Sequence, residues 1–351
     1  MDRKVRYAQF GVGRMGSMHI KYALMKGCEL VAAFDVAQER IGKDAGEFAK
    51  TGPLGIVVSD AKDLEKILGE TKPDIVMVAT RSFIKDVKDD IIRIVSCGAN
   101  VITICEEALW PWATDPESTK AIDEAAKANG VSVLGTGFAD VYWGNLPAMM
   151  IGGTGHIDKI HGSCIVNLED YGDVLAERHG VGLTLEEFHK RFGSGKSTEN
   201  GVPIGETCFL GDQNGWIVNY MGLHIKSQKV EDIPFTSDKD LFCTPMNLEV
   251  KAGKVIGESA VCTTETEEGI TVIFEIGGKI YEEGDIDSTQ WVIEGDPTTR
   301  IVIDRPPTPQ LTCTISINRI ADIINAEPGY ITTEQLPFNV YRRLPMNEYV
   351  K

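Results

Sequence analysis

The sequence predicts an α/β protein: an N-terminal doubly wound parallel sheet, followed by a second α+β domain built on a mostly antiparallel sheet. Three observations predict it. A glycine turn, Gly11-Val12-Gly13-Arg14-Met15-Gly16, sits between a short apolar run at 5–10 and a helix-like stretch. Apolar runs then alternate with amphipathic stretches as far as about Tyr142, the pattern of a parallel sheet covered on both faces. Beyond Tyr142 strand-like runs follow one another directly, many joined by short Gly-, Glu- or Lys-rich turns.

Taken in order, residues 5–10, 29–34, 55–58, 75–79, 100–104 and 132–134 read as the strands of the first sheet. Residues 17–26, 60–68, 85–97 and 116–128 read as its helices. Pro73-Asp74 leads into the fourth strand, and Gly98-Ala99-Asn100 stops a helix and leads into the fifth. In the second half, 161–168, 249–252, 255–264, 270–276 and 290–294 read as strands, with turns at Gly277-Gly278 and at Glu294-Gly295-Asp296-Pro297. Thr184 and Glu187 form a capping box for a helix over 184–191. A last helix is predicted over 316–326, ending before Pro328-Gly329, and this tail returns to the first domain. The predicted domains are therefore 1–141 with the return 312–351, and 142–311.

Composition narrows the class. The chain has 351 residues, enough for two domains with cores of their own. Its 42% apolar and 25% charged content is ordinary for a globular protein. A net charge of −17 repels nucleic acid and anionic membranes. No run is long enough to span a bilayer, and Met1-Asp2-Arg3-Lys4 passes straight into a strand without a signal-peptide pattern, so a cytoplasmic location is expected. The eight cysteines form no C-x-x-C pair and the six histidines show no ligand spacing; no metal site is expected, and the thiols read as reduced and mostly buried. Gly193-Ser194-Gly195-Lys196-Ser197 echoes a phosphate loop but lacks its full spacing and reads as a plain loop.

The glycine turn meets the dinucleotide (Rossmann) fingerprint in its required strand-to-helix context. Gly11 permits the tight turn, Gly13 lets backbone approach a pyrophosphate, and Gly16 lets helix pack on strand. Arg14 and Met15 open the helix whose N-terminal N–H groups face the phosphates. Asp35 ends the second strand, where a carboxylate grips the adenosine ribose and repels a 2′-phosphate. NAD is thus the expected cofactor, with NADP as a second possibility through Arg14 and Arg40. Ligands lie beyond the carboxyl ends of parallel strands near the switch in strand order. That rule selects Ala79 and Thr80 after the fourth strand, Cys105-Glu106-Glu107 after the fifth, and Gly135-Thr136-Gly137 after the sixth, with Cys105 and Gly137 as further cofactor neighbours. Glu106 and Glu107 are the candidate catalytic acids. Successive strand residues point to opposite faces, so one of the two is expected to face the cofactor, with Glu106 favoured. The plainer reading is an acid pair favoured by a helix N-terminus.

The glycine turn, Cys105-Glu106-Glu107 with Pro111, and Gly135-Thr136-Gly137 together resemble the 2,4-diaminopentanoate dehydrogenases and related native amine dehydrogenases, structural cousins of dihydrodipicolinate reductase. The same resemblance covers Trp291-Val292-Ile293-Glu294-Gly295-Asp296-Pro297 and the tail Ile317-Asn318-Arg319-Ile320, Ala326-Glu327-Pro328-Gly329, Thr332 and Leu336-Pro337, and so spans nearly the whole chain. It implies NAD(P)-linked hydride removal from a carbon bearing an amine, release of ammonia, the reverse reductive amination, a glutamate of the Cys-Glu-Glu segment that binds the substrate nitrogen and handles its protons, and a homodimer. One segment departs from the family: an Asn-Pro-Gly-like loop is replaced by Phe138-Ala139-Asp140-Val141-Tyr142-Trp143. Asp140, Tyr142 and Trp143 are therefore candidate substrate residues in a reshaped mouth, together with Asn167 and Tyr171 after the second domain's first strand.

Two rival readings remain at this level. One is a dehydrogenase of the same plan acting on a hydroxyl or a cyclic imine; sugar dehydrogenases of that plan carry Glu-Lys-Pro after the fifth strand, where this chain has Cys-Glu-Glu. The other is an NAD-binding regulatory protein without turnover.

Overall fold

A computed structural model describes residues 1–192, 198–199, 202–203 and 208–351; the side chains of residues 171, 198, 199, 202, 203 and 208 fall outside it, as does the Gly193-to-Ser197 loop. The chain divides into two compact units, 1–145 with 307–351, and 146–306. The seams lie at 145/146 and 306/307 rather than 141/142 and 311/312. A π-helical turn over Ala139–Asn145 stays with the first unit, and the returning helix begins earlier than its sequence suggests.

The first unit opens as β1 (Arg6–Phe10), α1 (Arg14–Met25), β2 (Glu29–Asp35), α2 (Ala45–Ala49), β3 (Val58–Asp60), α3 (Leu64–Thr71), β4 (Ile75–Val78), α4 (Ile84–Ser96), β5 (Asn100–Thr103), α5 (Pro116–Ala128) and β6 (Ser132–Gly135). The apolar runs are buried on both faces, as strands sandwiched between helices must be: β4 is buried at all four positions. α5 shows why a helix starts where it does: Asp115 accepts the Ser118 N–H at 3.0 Å, and Pro116 occupies the first turn. The third strand lies over 58–60, not 55–58, because 55–57 is spent on a loop closed by Asp44, which accepts the Gly46, Leu54 and Gly55 N–H groups and caps the unpredicted α2.

The second unit comprises α6 (Leu146–Ile151), β7 (His156–Asn167), α7 (Asp173–Arg178), α8 (Leu185–Phe192), β8 (Thr198–Glu199), β9 (Val202–Pro203), α9 (Cys208–Tyr220), β10 (Ile225–Thr236), β11 (Leu241–Cys243), β12 (Leu248–Val250), β13 (Val255–Thr266), β14 (Thr271–Lys279), β15 (Ser288–Asp296) and β16 (Thr299–Asp304). Its main sheet has the order β10-β13-β14-β7-β15-β16. Only the β14–β7 pair is parallel; the other neighbours are antiparallel. The capping box forms: Thr184 Oγ1 accepts the Glu187 N–H, and Glu187 accepts the Thr184 N–H at 2.8 Å. Gly277-Gly278 is not a turn but the end of β14; side chains there would strike Ser259 and Leu168, so the glycines serve packing. β10 and β16 were not legible, since their charged residues mask the alternation.

The chain then returns to the first unit as α10 (Thr308–Asn318), α11 (Ile320–Ile324) and β17 (Gly329–Ile331). The helix predicted over 316–326 is thus two helices broken at Arg319. β17 pairs in parallel with β6 and completes a seven-stranded, wholly parallel sheet of order β17-β6-β5-β4-β1-β2-β3. The order reverses between β1 and β4, which fixes the ligand edge.

Candidate active site

The glycine turn lies at that reversal. Gly11 has φ +83°, and a Cβ there would collide with the Ala79 carbonyl and approach Thr80 Cγ2 at 3.1 Å. A Cβ on Gly16 would collide with the Gly11 carbonyl. Gly13 differs: the nearest atom to a Cβ there would be Arg40 Nη1, 3.8 Å away, so nothing in the fold demands a glycine. The space there is open. α1 carries no side-chain cap and no acid in its first turn, while Arg14 is exposed and Met15 half-buried there. An open cradle over uncapped N–H groups fits a pyrophosphate.

Beneath the turn, the wholly buried Gln9 amide donates to the Gly11 carbonyl at 3.0 Å and the Phe10 carbonyl at 3.2 Å. Asp35 stands at the end of β2, 4% exposed. Its carboxylate accepts the Val12 N–H at 2.7 Å, those of Val36 and Ala37, and Arg40 Nη1 at 3.1 Å. Burial works to raise this carboxyl, but the Ala37 and Val12 amides and the Arg40 guanidinium outweigh it and hold it below its ordinary value. A cavity of about 500 Å³ opens near it, lined by Phe10, Val36, Gln38, Asp60, Ala61 and Lys62, with Asp90 and Arg93 of α4. Sequence reading marked none of these lining residues as site candidates, because no motif covers them.

The acid pair follows β5, two strands from the glycine turn in the order β5-β4-β1. A short 3-10 turn over Glu106–Leu109 separates its members completely. Glu107 is 5% exposed, and its carboxylate accepts the Ile84 N–H at 2.7 Å, capping α4, whose own N-cap residue makes no side-chain bond. Glu106 is exposed. The plainer reading of an acid at a helix N-terminus therefore holds for Glu107, though the helix is α4, which precedes it in sequence. Ala79 is half-buried and Thr80 exposed on the adjoining strand end.

Three candidates prove structural. Cys105 is buried in the apolar cluster with Phe10 and Val78, and burial, with Glu106 and Glu107 nearby, pushes its thiol well up. Asp140 is wholly buried: Arg319 grips it through Nε at 2.8 Å and Nη2 at 2.9 Å, while Thr136 and Asn145 donate to the same oxygens. It cannot anchor a cationic substrate, because its acceptor positions are already filled. Asn167 caps the turn that follows β7, accepting the Glu169 N–H at 3.2 Å. Tyr142 stacks on Phe138 at 4.5 Å between ring centroids, and Trp143 meets the same ring edge-on; both are half-buried. Tyr171 ends the turn after β7, in the second unit, and its side chain lies outside the described residues. Gly137 has φ +143°, and a Cβ would come within 3.0 Å of Thr312 on α10. Among the described residues no group of three or more His, Cys, Asp and Glu could hold a metal, and no helix is long and apolar enough to cross a membrane.

Comparison with known proteins adds a second line. Residues 145–346 match the family described as the 2,4-diaminopentanoate dehydrogenase C-terminal domain, and residues 5–85 match the dihydrodipicolinate reductase N-terminus. The chain is 29% identical to a 2,4-diaminopentanoate dehydrogenase of Acetoanaerobium sticklandii over 343 residues, 95% of this chain and 94% of that enzyme. A solved amine dehydrogenase from Mycobacterium smegmatis is 32% identical and superposes with a TM-score of 0.81, over 98% of this chain and 99% of that one. A 4-hydroxy-tetrahydrodipicolinate reductase of Methanosarcina acetivorans is 40% identical, over only 35% of this chain and 43% of the reductase.

Proposed function

This chain belongs to the 2,4-diaminopentanoate dehydrogenase family, and from that membership we propose that it is an NAD-dependent oxidoreductase that oxidatively deaminates an amine or diamino acid to a ketone, and runs the reverse reductive amination. The observation that carries the reading is the division of the acid pair: Glu107 is withdrawn to cap α4, leaving the Glu106 carboxylate exposed at the switch-point edge of the sheet.

Bound NAD supplies the hydride acceptor. The chain supplies the rest. A substrate ammonium, with a pKa of about 10, cannot expel a hydride until it loses a proton. The Glu106 carboxylate attracts the ammonium and takes that proton. The neutral amine can then release its C–H electron pair as hydride to the bound coenzyme, and Glu106, once it has passed its proton to solvent, would stabilise as a carboxylate the iminium left behind. Glu106 next orients water for attack on the iminium carbon, takes one water proton and passes it to the nitrogen; it then takes the remaining hydroxyl proton as the C–N bond breaks, so that ammonia leaves and the ketone forms.

Glu106→Gln keeps the size and a hydrogen-bonding oxygen but cannot accept the proton. The variant should bind NAD as the parent does and lose turnover by about 10³-fold. Full turnover in that variant, with Glu107→Gln inactive, would move the role one residue along. A keto substrate that consumes NADH without ammonia would instead favour a hydroxyl dehydrogenase.

NAD is the preferred coenzyme, because a carboxylate ends β2. NADP is a second acceptor, since Arg40 already neutralises Asp35 and stands beside Gly13; the ratio of kcat/KM for the two coenzymes decides this. The functional unit is a homodimer, as the family resemblance implies, and a monomeric sedimentation coefficient would refute it. The cytoplasm suits a chain whose seven described cysteines are all free thiols; cell fractionation tests that location.

A further inference from the structure

The turn that bears Glu106 is held from three sides through the buried residues Glu107, Gly135 and Tyr330. From the β4–α4 side, the Glu107 carboxylate accepts the Ile84 N–H at 2.7 Å and the Glu107 N–H donates to the Ser82 carbonyl at 3.2 Å. From the β6 side, Gly135 is bare because any Cβ would collide with Ala108. From the far edge of the sheet, the buried Tyr330 of β17 donates its hydroxyl to the Ala108 carbonyl at 2.6 Å, across 222 residues of sequence. The turn itself closes on the Ala108 N–H to the Cys105 carbonyl, 3.0 Å.

We propose that Tyr330 and Glu107 are positioning residues that clamp the Glu106–Leu109 turn and so hold the Glu106 carboxylate in reacting geometry. Glu106 sits on one short turn whose next two residues are each tied to a different element. Freedom at either tie becomes freedom at the reacting carboxylate. Errors of about 1 Å in such a group can cost about a hundredfold in rate. Neither side chain takes up or releases a proton in the reaction. The Glu107 bond needs an acceptor oxygen rather than a charge, and the Tyr330 bond needs a donor.

The inference rests on Glu106 as the proton-handling group, and the experiment separates the two. Tyr330→Phe, Glu107→Gln, Glu107→Leu and Glu106→Gln are compared in the full-length protein for kcat, for the Kd of NAD, and for thermal unfolding. Tyr330→Phe should lower kcat by roughly 10- to 100-fold with the NAD Kd unchanged. Glu107→Gln, which keeps an acceptor for Ile84, should restore kcat to within about threefold of the parent, while Glu107→Leu should not. A Tyr330→Phe protein that folds, with parental kcat beside an inactive Glu106→Gln, overturns the clamp and leaves the base assignment standing. An active Glu106→Gln overturns the base assignment itself. Equal losses in kcat and NAD binding in a folded Tyr330→Phe protein would also overturn the clamp, since they would mark a general structural role.

Discussion

At the scale of single residues, three glycines that look alike in sequence do different work. Gly11 and Gly16 are demanded by the fold, whereas Gly13 faces open space. Alanine separates these roles. Gly16→Ala should cost about 4 kcal/mol or more of stability, since its Cβ meets backbone that cannot yield. Gly13→Ala should leave the unfolding midpoint unchanged and weaken NAD binding by about tenfold or more, because its Cβ occupies the pyrophosphate approach. Denaturant titration and NAD titration of the two variants check this; equal NAD affinity in Gly13→Ala would remove the phosphate assignment. The acid pair gives the same lesson. Adjacent, identical side chains diverge because the 3-10 turn aims one at the Ile84 N–H and leaves the other in solvent.

At the scale of elements, α1 carries a titratable group that binding does not use. His19 is wholly buried on it, and neither ring nitrogen has a partner among the described residues. Burial lowers its pKa from the ordinary 6.5 to about 4. The unfolded chain takes up a proton as the pH falls through about 6.5, whereas the folded one does not until about 4. Stability from this group is therefore complete above 6.5 and drains as the pH falls toward 4. Between pH 7 and pH 5 the loss should be about 2 kcal/mol, and His19→Leu should flatten that slope in urea titrations. An identical slope in the variant would place the acid sensitivity elsewhere. Elements with a local start signal were legible. Asp115-Pro116 and the Thr184–Glu187 box each announce a helix with side chains already adjacent in sequence. The break at Arg319 was not, and the residue at the break is held by an ion pair to Asp140, 179 residues away.

At the scale of the whole chain, the return after Pro306 holds the first unit together. α10 and α11 contribute Ile317, Ile320 and Ile323 to one of its cores, and the Arg319–Asp140 pair ties the break between them to the π-helical turn. Desolvation works against this buried guanidinium, and Asp140 with Asp322 more than offsets it, keeping its pKa raised. Asp140→Ala would leave Arg319 charged and buried with Asp322, 3.4 Å from Nη1, as its remaining counter-charge, at a cost of about 3 kcal/mol, whereas replacing both Asp140 and Arg319 with Leu and Met should recover most of it. Chemical unfolding of the single and double variants tests this; a loss below about 1 kcal/mol in the single variant would show that the pair does not hold the return in place.

The parallel sheet, the six runs that supply its first six strands, the dinucleotide turn and the family were all written in the sequence. Each rests on signals spaced within a few residues, on apolar periodicity, or on motif order along the chain. Tertiary structure alone decided which glutamate stays free, that Asp140 clamps Arg319 instead of facing a substrate, and that Tyr330 reaches Ala108. Those outcomes depend on groups distant in sequence competing for the same few hydrogen bonds, and that competition begins only when the chain has closed on itself.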